Sequence, residues 1–498
     1  MEQLIFWGSC LTVLTIFFGF LWLKTLEDLP PGPWGLPIVG YLPWIDPKEP
    51  QQTLARLAAT YGRIFSLKMG SLFTVVLTDP ALIREALAKD VFSDRADLFL
   101  THGIMDGNGI VAANGPKWKE QRRFLSAFLK SAGMLKVGIK RDVMQNRILS
   151  GVNEACKMLA DGNEKKPINA LKVLIHTMGN VLNELLFGIT YAVDDPQWRY
   201  LQELAIEGVK LIGVAGPLNF LPFLRFFPPY RNSIKYILEG KKKTHEEYKA
   251  ISQRQDEGAR SEKTEESLLS IFKKEMRSGK SENFNEEQMY HILADMFGAG
   301  VETSLTTLRW FLLFMAAYPK IQDEVYQELL SVMNDREDPL LNDFAQTPFT
   351  EACIAETQRI RPVVPLGIPH GTRHDTELGG YRIPQGAMIL IPQFVLHTNP
   401  CAWDRPHSFD PNRFIDKNTG KMIRSHDHFM PFQCGKRVCL GDEMARMLLF
   451  LFGAGILRKF RVSLTEEYEN DDDLQEMLKG ENGITWAPKD HDLLFSRR

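Results

Sequence analysis

The stretch FQCGKRVCLG, Phe432 to Gly441, sets two cysteines five positions apart among glycines and basic side chains. Such spacing admits a metal-binding pair, a disulfide, or one special thiolate beside an inert neighbour. The chain's six cysteines are Cys10, Cys156, Cys353, Cys401, Cys434 and Cys439. They are too scattered for a disulfide scaffold, which favours a reducing compartment. Zinc would need more ligands, and His426 and His428 are near enough to complete a set, although no second close cysteine pair exists. The thiolate reading has a local support. GDEMARMLLFLFGAGILRKF, which follows, reads as a long helix, and Cys439 stands just before its start. Backbone N–H groups and the helix dipole there stabilise a negative sulfur. Gly435 and Gly441 flank Cys439 and leave room for backbone to approach a flat ligand. Cys434 has no helix start beside it and reads as the bystander.

Other residue pairs have spacing that invites chemistry. In ETQR, Glu356 and Arg359 are three apart and share a helix face, which alone is an ordinary surface ion pair. Arg413 in FDPNRF makes them a candidate triad. In DMFGAGVETSLTTLRW, Gly298 and Gly300 weaken a helix while Glu302 and Thr303 put polar groups in an apolar segment, either a plain kink or a reactive turn. These glycines imitate a nucleotide-binding loop, but a helical pattern precedes them instead of a strand.

Taken in order, these stretches resemble the cytochrome P-450 superfamily from the hinge described below to the C-terminus. Phe432, Gly435, Arg437, Cys439 and Gly441 fill F-x-x-G-x-R-x-C-x-G; Glu356 and Arg359 fill E-x-x-R; Pro411, Arg413 and Phe414 fill P-x-R-F. Ala299, Gly300, Glu302, Thr303 and Ser304 match the oxygen-activating helix, and Trp118 and Arg122 match W-x-x-x-R. Asn412 departs from the acidic residue often found in that corner. The resemblance implies a mainly α fold with small β-sheets and a haem b whose iron Cys439 ligates. It implies a pocket built with Ala299, Gly300, Phe432, Gly435 and Gly441, and propionates met by Trp118, Arg122, His370 and Arg437. Thr303 and Glu302 become the catalytic pair, and the triad a structural lock behind the cysteine. A thiolate gives iron the electron density that oxygen activation needs. No flavin or nicotinamide fingerprint is present, so electrons from NADPH must arrive through a reductase, with cytochrome b5 as a further candidate donor.

The implied activity is monooxygenation of an apolar small molecule. A haem-thiolate isomerase and a haem sensor are the competing classes, and the Glu302–Thr303 pair argues against both. PVVPLGIPHGTRHDTELGGYRIPQG and HFMPFQCGKRVCLGDEMARMLLFLFG are similar to the microsomal animal branch and, within it, to arthropod ecdysteroid hydroxylases. That implies 25-hydroxylation of an ecdysteroid precursor. Related arthropod members oxidise juvenile-hormone precursors or foreign compounds.

Positioning these residues takes a large body. Leu4 to Leu23 carries no charge and, at about 20 residues, is long enough to cross a bilayer as a helix. It has no cleavage site, and Lys24 on its far side favours a cytosolic body. Residues 1–24 are therefore expected to be a membrane anchor, 25–43 a Pro/Gly hinge and 44–498 one catalytic domain on the cytosolic face of the endoplasmic reticulum. Helix periodicity covers Asp79–Ala88, Pro116–Leu129, Asn169–Phe187, Glu286–Ala317 and Lys320–Met333. Arg63–Gly70 and Leu72–Asp79 read as a hairpin, and Gly380–Pro392 as two strands around a turn. Leu211–Tyr230 is apolar with breakers, fitting either ordinary core or a second membrane contact. Lys117, Lys119, Arg123 and Lys436 form either a solvated face or a basic patch for an acidic reductase. The formal charge of -3 offers no excess of cations for nucleic acid.

Overall fold

The computed structural model describes residues 28–160, 166–211, 213–228, 230–258, 266–468 and 471–498. The expected anchor at 1–24 lies outside them. Among the described residues no helix is long and apolar enough to cross a membrane.

The molecule is built around one 32-residue helix, Glu286–Ala317. Asn285 caps it by accepting the Gln288 N–H, and Glu286 and Glu287 place negative charge at its positive end. From Ser304 to Ala316 every side chain is buried, so this half has no solvent face to pattern and packs helices on several sides. Ala170–Phe187 and Asp442–Lys459 both lie against it. Gly300 is what lets the first of these come close: a Cβ there would sit 3.2 Å from the Leu182 side chain. The expected Asn169–Phe187 helix forms with Asn169 as its cap and Gly188, at φ +69°, ending it.

A small sheet lies to one side. The hairpin forms as β1 (Ile64–Met69) and β2 (Leu72–Leu77), antiparallel from Ile64↔Leu77 to Met69↔Leu72. β3 (Asp94–Arg95) pairs with β4 (His370–Gly371). Gly380–Pro392 does hold two strands around a turn, but they do not pair with each other. β6 (Tyr381–Ile383) pairs with β5 (Thr376–Leu378), whereas β7 (Met388–Leu390) joins β2 in parallel and β4 antiparallel. The turn explains this. The Gly386 amide donates to the Thr372 carbonyl and the Ala387 amide to Thr372 Oγ1, drawing the chain across to a different partner.

Leu211–Tyr230 is divided between core and surface. Leu218, Phe220 and Leu221 are buried, the last two against the sheet with Phe65, Met388 and Leu390. Phe223, Phe226 and Phe227, in and just after a Pro-started 3-10 turn, are exposed.

Candidate active site

The cysteine loop closes on itself. The Cys439 amide donates to the Phe432 carbonyl at 3.0 Å, and Gly435–Arg437 forms a single 3-10 turn. Gly435 sits at φ +73°, and a Cβ on it would collide with the Leu87 carbonyl of the Pro80–Ala88 helix. It thereby seats the loop on that helix. Gly441 lies beside the sulfur: a Cβ on it would stand 4.0 Å from Cys439 Sγ, an ordinary contact. The following helix starts at Asp442, as its pattern implied.

Cys439 is enclosed by the chain yet its own surface is open, so it lines an internal space. Burial pushes its thiol above the usual range, while the Gly441 N–H pulls it down. The helix start alone therefore does not make a thiolate; coordination to a cation would deprotonate the group outright. Cys434 packs in the apolar cluster with Leu87 and Ile391, and burial raises its thiol too. The alternative zinc set is not assembled. His426 stacks on Trp403 at 3.9 Å, and its Nδ1 accepts the His428 backbone N–H.

Behind the loop, Glu356 and Arg359 form a fully buried bidentate pair at 2.6 and 2.8 Å. Arg413 Nε donates to the same carboxylate at 3.1 Å, as does the Asp410 amide at 2.9 Å. Arg359 also donates to the carbonyls of His397 and Pro406. The His397 ring, kept neutral by burial at a pKa of about 3, accepts the Met430 N–H. The triad thus reaches the first residues of the cysteine loop through one histidine. Asn412 is exposed, and the triad is complete without its side chain.

Three arginines cluster about the cysteine loop. Arg437 donates to the carbonyls of Ser93, Ile110 and Ala113 and lies 3.9 Å over the Trp118 ring. Arg122 donates to the Val438 carbonyl and also faces Trp118. Arg95, which no sequence motif singled out, donates to the carbonyls of Val111 and Ile368. Burial and mutual repulsion bring Arg95 down to about 9 and Arg437 to about 8. Asp94, the nearest acid felt by Arg437, is bound bidentately by Arg373. Three cations held mainly by neutral carbonyls beside an open sulfur suit a group that brings carboxylates of its own. His370 is buried and pushed to about 3, so it stands there as a neutral ring, with Phe92 O and Gln433 on its two nitrogens.

On the Glu286–Ala317 helix, Ala299 is exposed and Thr303 half-buried, whereas residues 288–293 before them and 304–316 after them are buried, so the helix opens at this point. The helix runs unbroken through Gly298 and Gly300. Thr303 Oγ1 donates to the Ala299 carbonyl at 2.7 Å, which leaves its lone pairs for the open side. Glu302 accepts from Thr306 and from Thr485 of the C-terminal segment. About two turns before Glu302, Asp295 accepts the amides of Ile110 and Val111 at 2.7 and 2.9 Å. Ile110 therefore ties the helix to the cysteine loop, its amide on Asp295 and its carbonyl on Arg437.

Burial raises Asp295 to about 6, against a usual 3.8. A raised carboxyl binds its proton more tightly in the folded state, so its contribution is present at low pH and lost as pH climbs through about 6. Asp295→Asn keeps an acceptor and removes the titration. The variant should lose this part of the pH dependence, at most about 3 kcal/mol, and melt higher than wild type above pH 6. Parallel melting curves with pH from 4 to 7 would contradict it.

The expected basic patch is smaller than its residue count. Lys117 turns inward to Gly107 and Asn108, and Lys119 and Lys436 share Asp90. Arg123 stays exposed.

A mainly helical body with an open cysteine at a helix head, a buried Glu–Arg–Arg lock and a cluster of arginines about the cysteine loop defines a haem-thiolate class of protein. The profile of the Cytochrome P450 family matches residues 30–495, and the chain belongs to that family. It is similar to "Cytochrome P450 306a1" of Drosophila melanogaster, 41% identical over 97% of this chain and 92% of the relative. "Cytochrome P450 18a1" of the same organism is 33% identical over 99% and 93%. Human "Cytochrome P450 2U1" is 32% identical over 97% and 92%. The chain is a P450 monooxygenase, and the family's haem iron is the group its site must hold.

Proposed function

We propose that this enzyme is anchored in the endoplasmic reticulum membrane by residues 1–24 and hydroxylates an apolar steroid, an ecdysteroid precursor at carbon 25, on the cytosolic side. The open Cys439 sulfur beside arginines held mainly by neutral backbone carbonyls carries the haem b assignment. Cys439 would hold the iron, and Arg95, Arg122 and Arg437 the propionates, with Trp118 as their platform. The haem supplies oxygen activation. Electrons come from NADPH through a reductase docking near Arg123 and Lys436, with cytochrome b5 as a second donor. The steroid reading is supported by the likeness of the Pro362–Gly386 and His428–Gly453 stretches to arthropod ecdysteroid hydroxylases, and the arthropod branch by the 41% identity to an insect relative. Incubating full-length enzyme and reductase with a sterol panel, and identifying products, tests it. Turnover confined to juvenile-hormone precursors or foreign compounds would replace the steroid assignment.

The exposed Phe223, Phe226 and Phe227 support a second membrane contact. Enzyme lacking residues 1–24 should still sediment partly with lipid vesicles, and full solubility without detergent would refute this.

Thr303 can accept a hydrogen bond and pass a proton on the open side; Glu302, held by two threonines, is placed to resupply it. Thr303→Val keeps the side-chain shape but neither function. Haem and substrate binding should persist, while product per NADPH falls on the order of 100-fold and hydrogen peroxide rises. An unchanged ratio would move the proton path elsewhere.

A further inference from the structure

Away from the arginine cluster, two helices bring together a set of side chains that the monooxygenase reading does not use. His245 lies on the Tyr230–Gly258 helix, and Glu287 and His291 lie one turn apart on Glu286–Ala317. Their ligating atoms all lie within 4.8 Å of one another. His291 Nε2 is 3.1 Å from Glu287 Oε1, and the two imidazoles meet edge to face at 4.9 Å between centroids.

We propose that His245, Glu287 and His291 hold a divalent transition cation, zinc or its close relatives, which bridges the two helices. The donor set argues for the cation. Two imidazoles and one carboxylate suit zinc and are poor ligands for calcium or magnesium, which require several oxygens. Tetrahedral bonds of about 2.0–2.1 Å put neighbouring ligand atoms roughly 3.3 Å apart. His291 and Glu287 already stand at that spacing. The His245 ring, half-buried on its own helix, needs to swing in by at most about 1.5 Å, from within 4.8 Å to roughly 3.3 Å, to complete three ligands. The fourth position is left for water.

His291 is buried and His245 half-buried, so the site is partly screened from bulk water, and the neutral ring is the form that ligates. One group opposes the cation. Lys241 Nζ lies 3.8 Å from Glu287 Oε1. It also has Ile104 O at 3.3 Å and Asp106 at 3.9 Å, so it can yield the carboxylate without losing every partner. Lys241 is therefore the built-in competitor. Thr303 lies 12 residues beyond His291, about 18 Å along the helix, so metal binding can be read independently of turnover.

Chelator-treated, haem-loaded full-length protein is titrated with zinc chloride in a calorimeter, with the ferrous–carbonyl spectrum confirming the fold of each variant. Wild type should bind one zinc per chain with micromolar affinity. His245→Ala and Glu287→Gln should each weaken it at least 30-fold. Glu287 is exposed, so its variant keeps the test intact if a histidine change disturbs folding. Lys241→Met should tighten binding several-fold, which a purely structural role for these residues would not produce. Magnesium and calcium chloride should give no saturable heat. Equal zinc affinity in wild type and both ligand variants, absence of a saturable site, or no tightening in Lys241→Met would overturn the proposal.

Discussion

Replacing Cys439 with histidine should abolish the thiolate-type Soret band of the ferrous–carbonyl complex and all reductase-driven product, while Cys434→Ser leaves both intact. Cys439 is the cysteine whose sulfur opens on the internal space, with the Gly441 N–H aimed at it. Its backbone is fixed by the bond to the Phe432 carbonyl, so a different side chain in that place still faces the same ligand. An imidazole can hold iron but donates less electron density than a thiolate, and the oxygen chemistry fails for that reason. Cys434 faces apolar side chains, and its change to serine should cost stability of about 1–3 kcal/mol at most for an unpaired buried hydroxyl. A thiolate-type band surviving in the Cys439 variant would refute the ligand assignment.

Glu356→Gln should be the most damaging change outside the cysteine loop. Glu356 and Arg359 are both at 0% exposure, and removing one member of such a pair strands charge inside the protein at about 3–5 kcal/mol. Arg413 and the Asp410 amide lose their strongest acceptor at the same time. Thermal melting should fall accordingly, and haem retention with it, because the triad supports the residues that lead into the cysteine loop. The double change Glu356→Leu with Arg359→Met separates the causes. It removes the stranded charge and should regain part of the melting temperature. It should not regain haem, since the carbonyls of His397 and Pro406 remain without their arginine donor. Full haem retention in the double variant would show that the triad acts through charge balance alone.

The features legible in the sequence are those written by short-range physics. The Asn169 and Asn285 caps, the Gly188 stop and the 3.6-residue apolar period give helices where they were expected, since each acts within a turn. The β1–β2 register follows from a tight turn between two apolar runs. The cysteine loop and the Glu356–Arg359 pair were visible because their members lie within a few positions of one another.

Residues whose role depends on distant partners were not legible. Nothing around Arg95 in the sequence sets it apart; its place among the site cations depends on Ile368, 273 positions away, and on Arg437. Asp295 looks like one acid in a helix until Ile110 and Val111 arrive from some 185 positions earlier. The reason for Gly435 is the Leu87 carbonyl, and the partner of β7 is chosen by Thr372. By itself the sequence determined the cysteine loop and the helix that follows it, because the motif residues from Phe432 to Gly441 and the helix starting at Asp442 are neighbours along the chain. Only the tertiary structure decided which cations cluster about that loop and where the Glu286–Ala317 helix opens, because burial, like-charge repulsion and hydrogen-bond pairing between remote segments exist only once the chain has closed on itself.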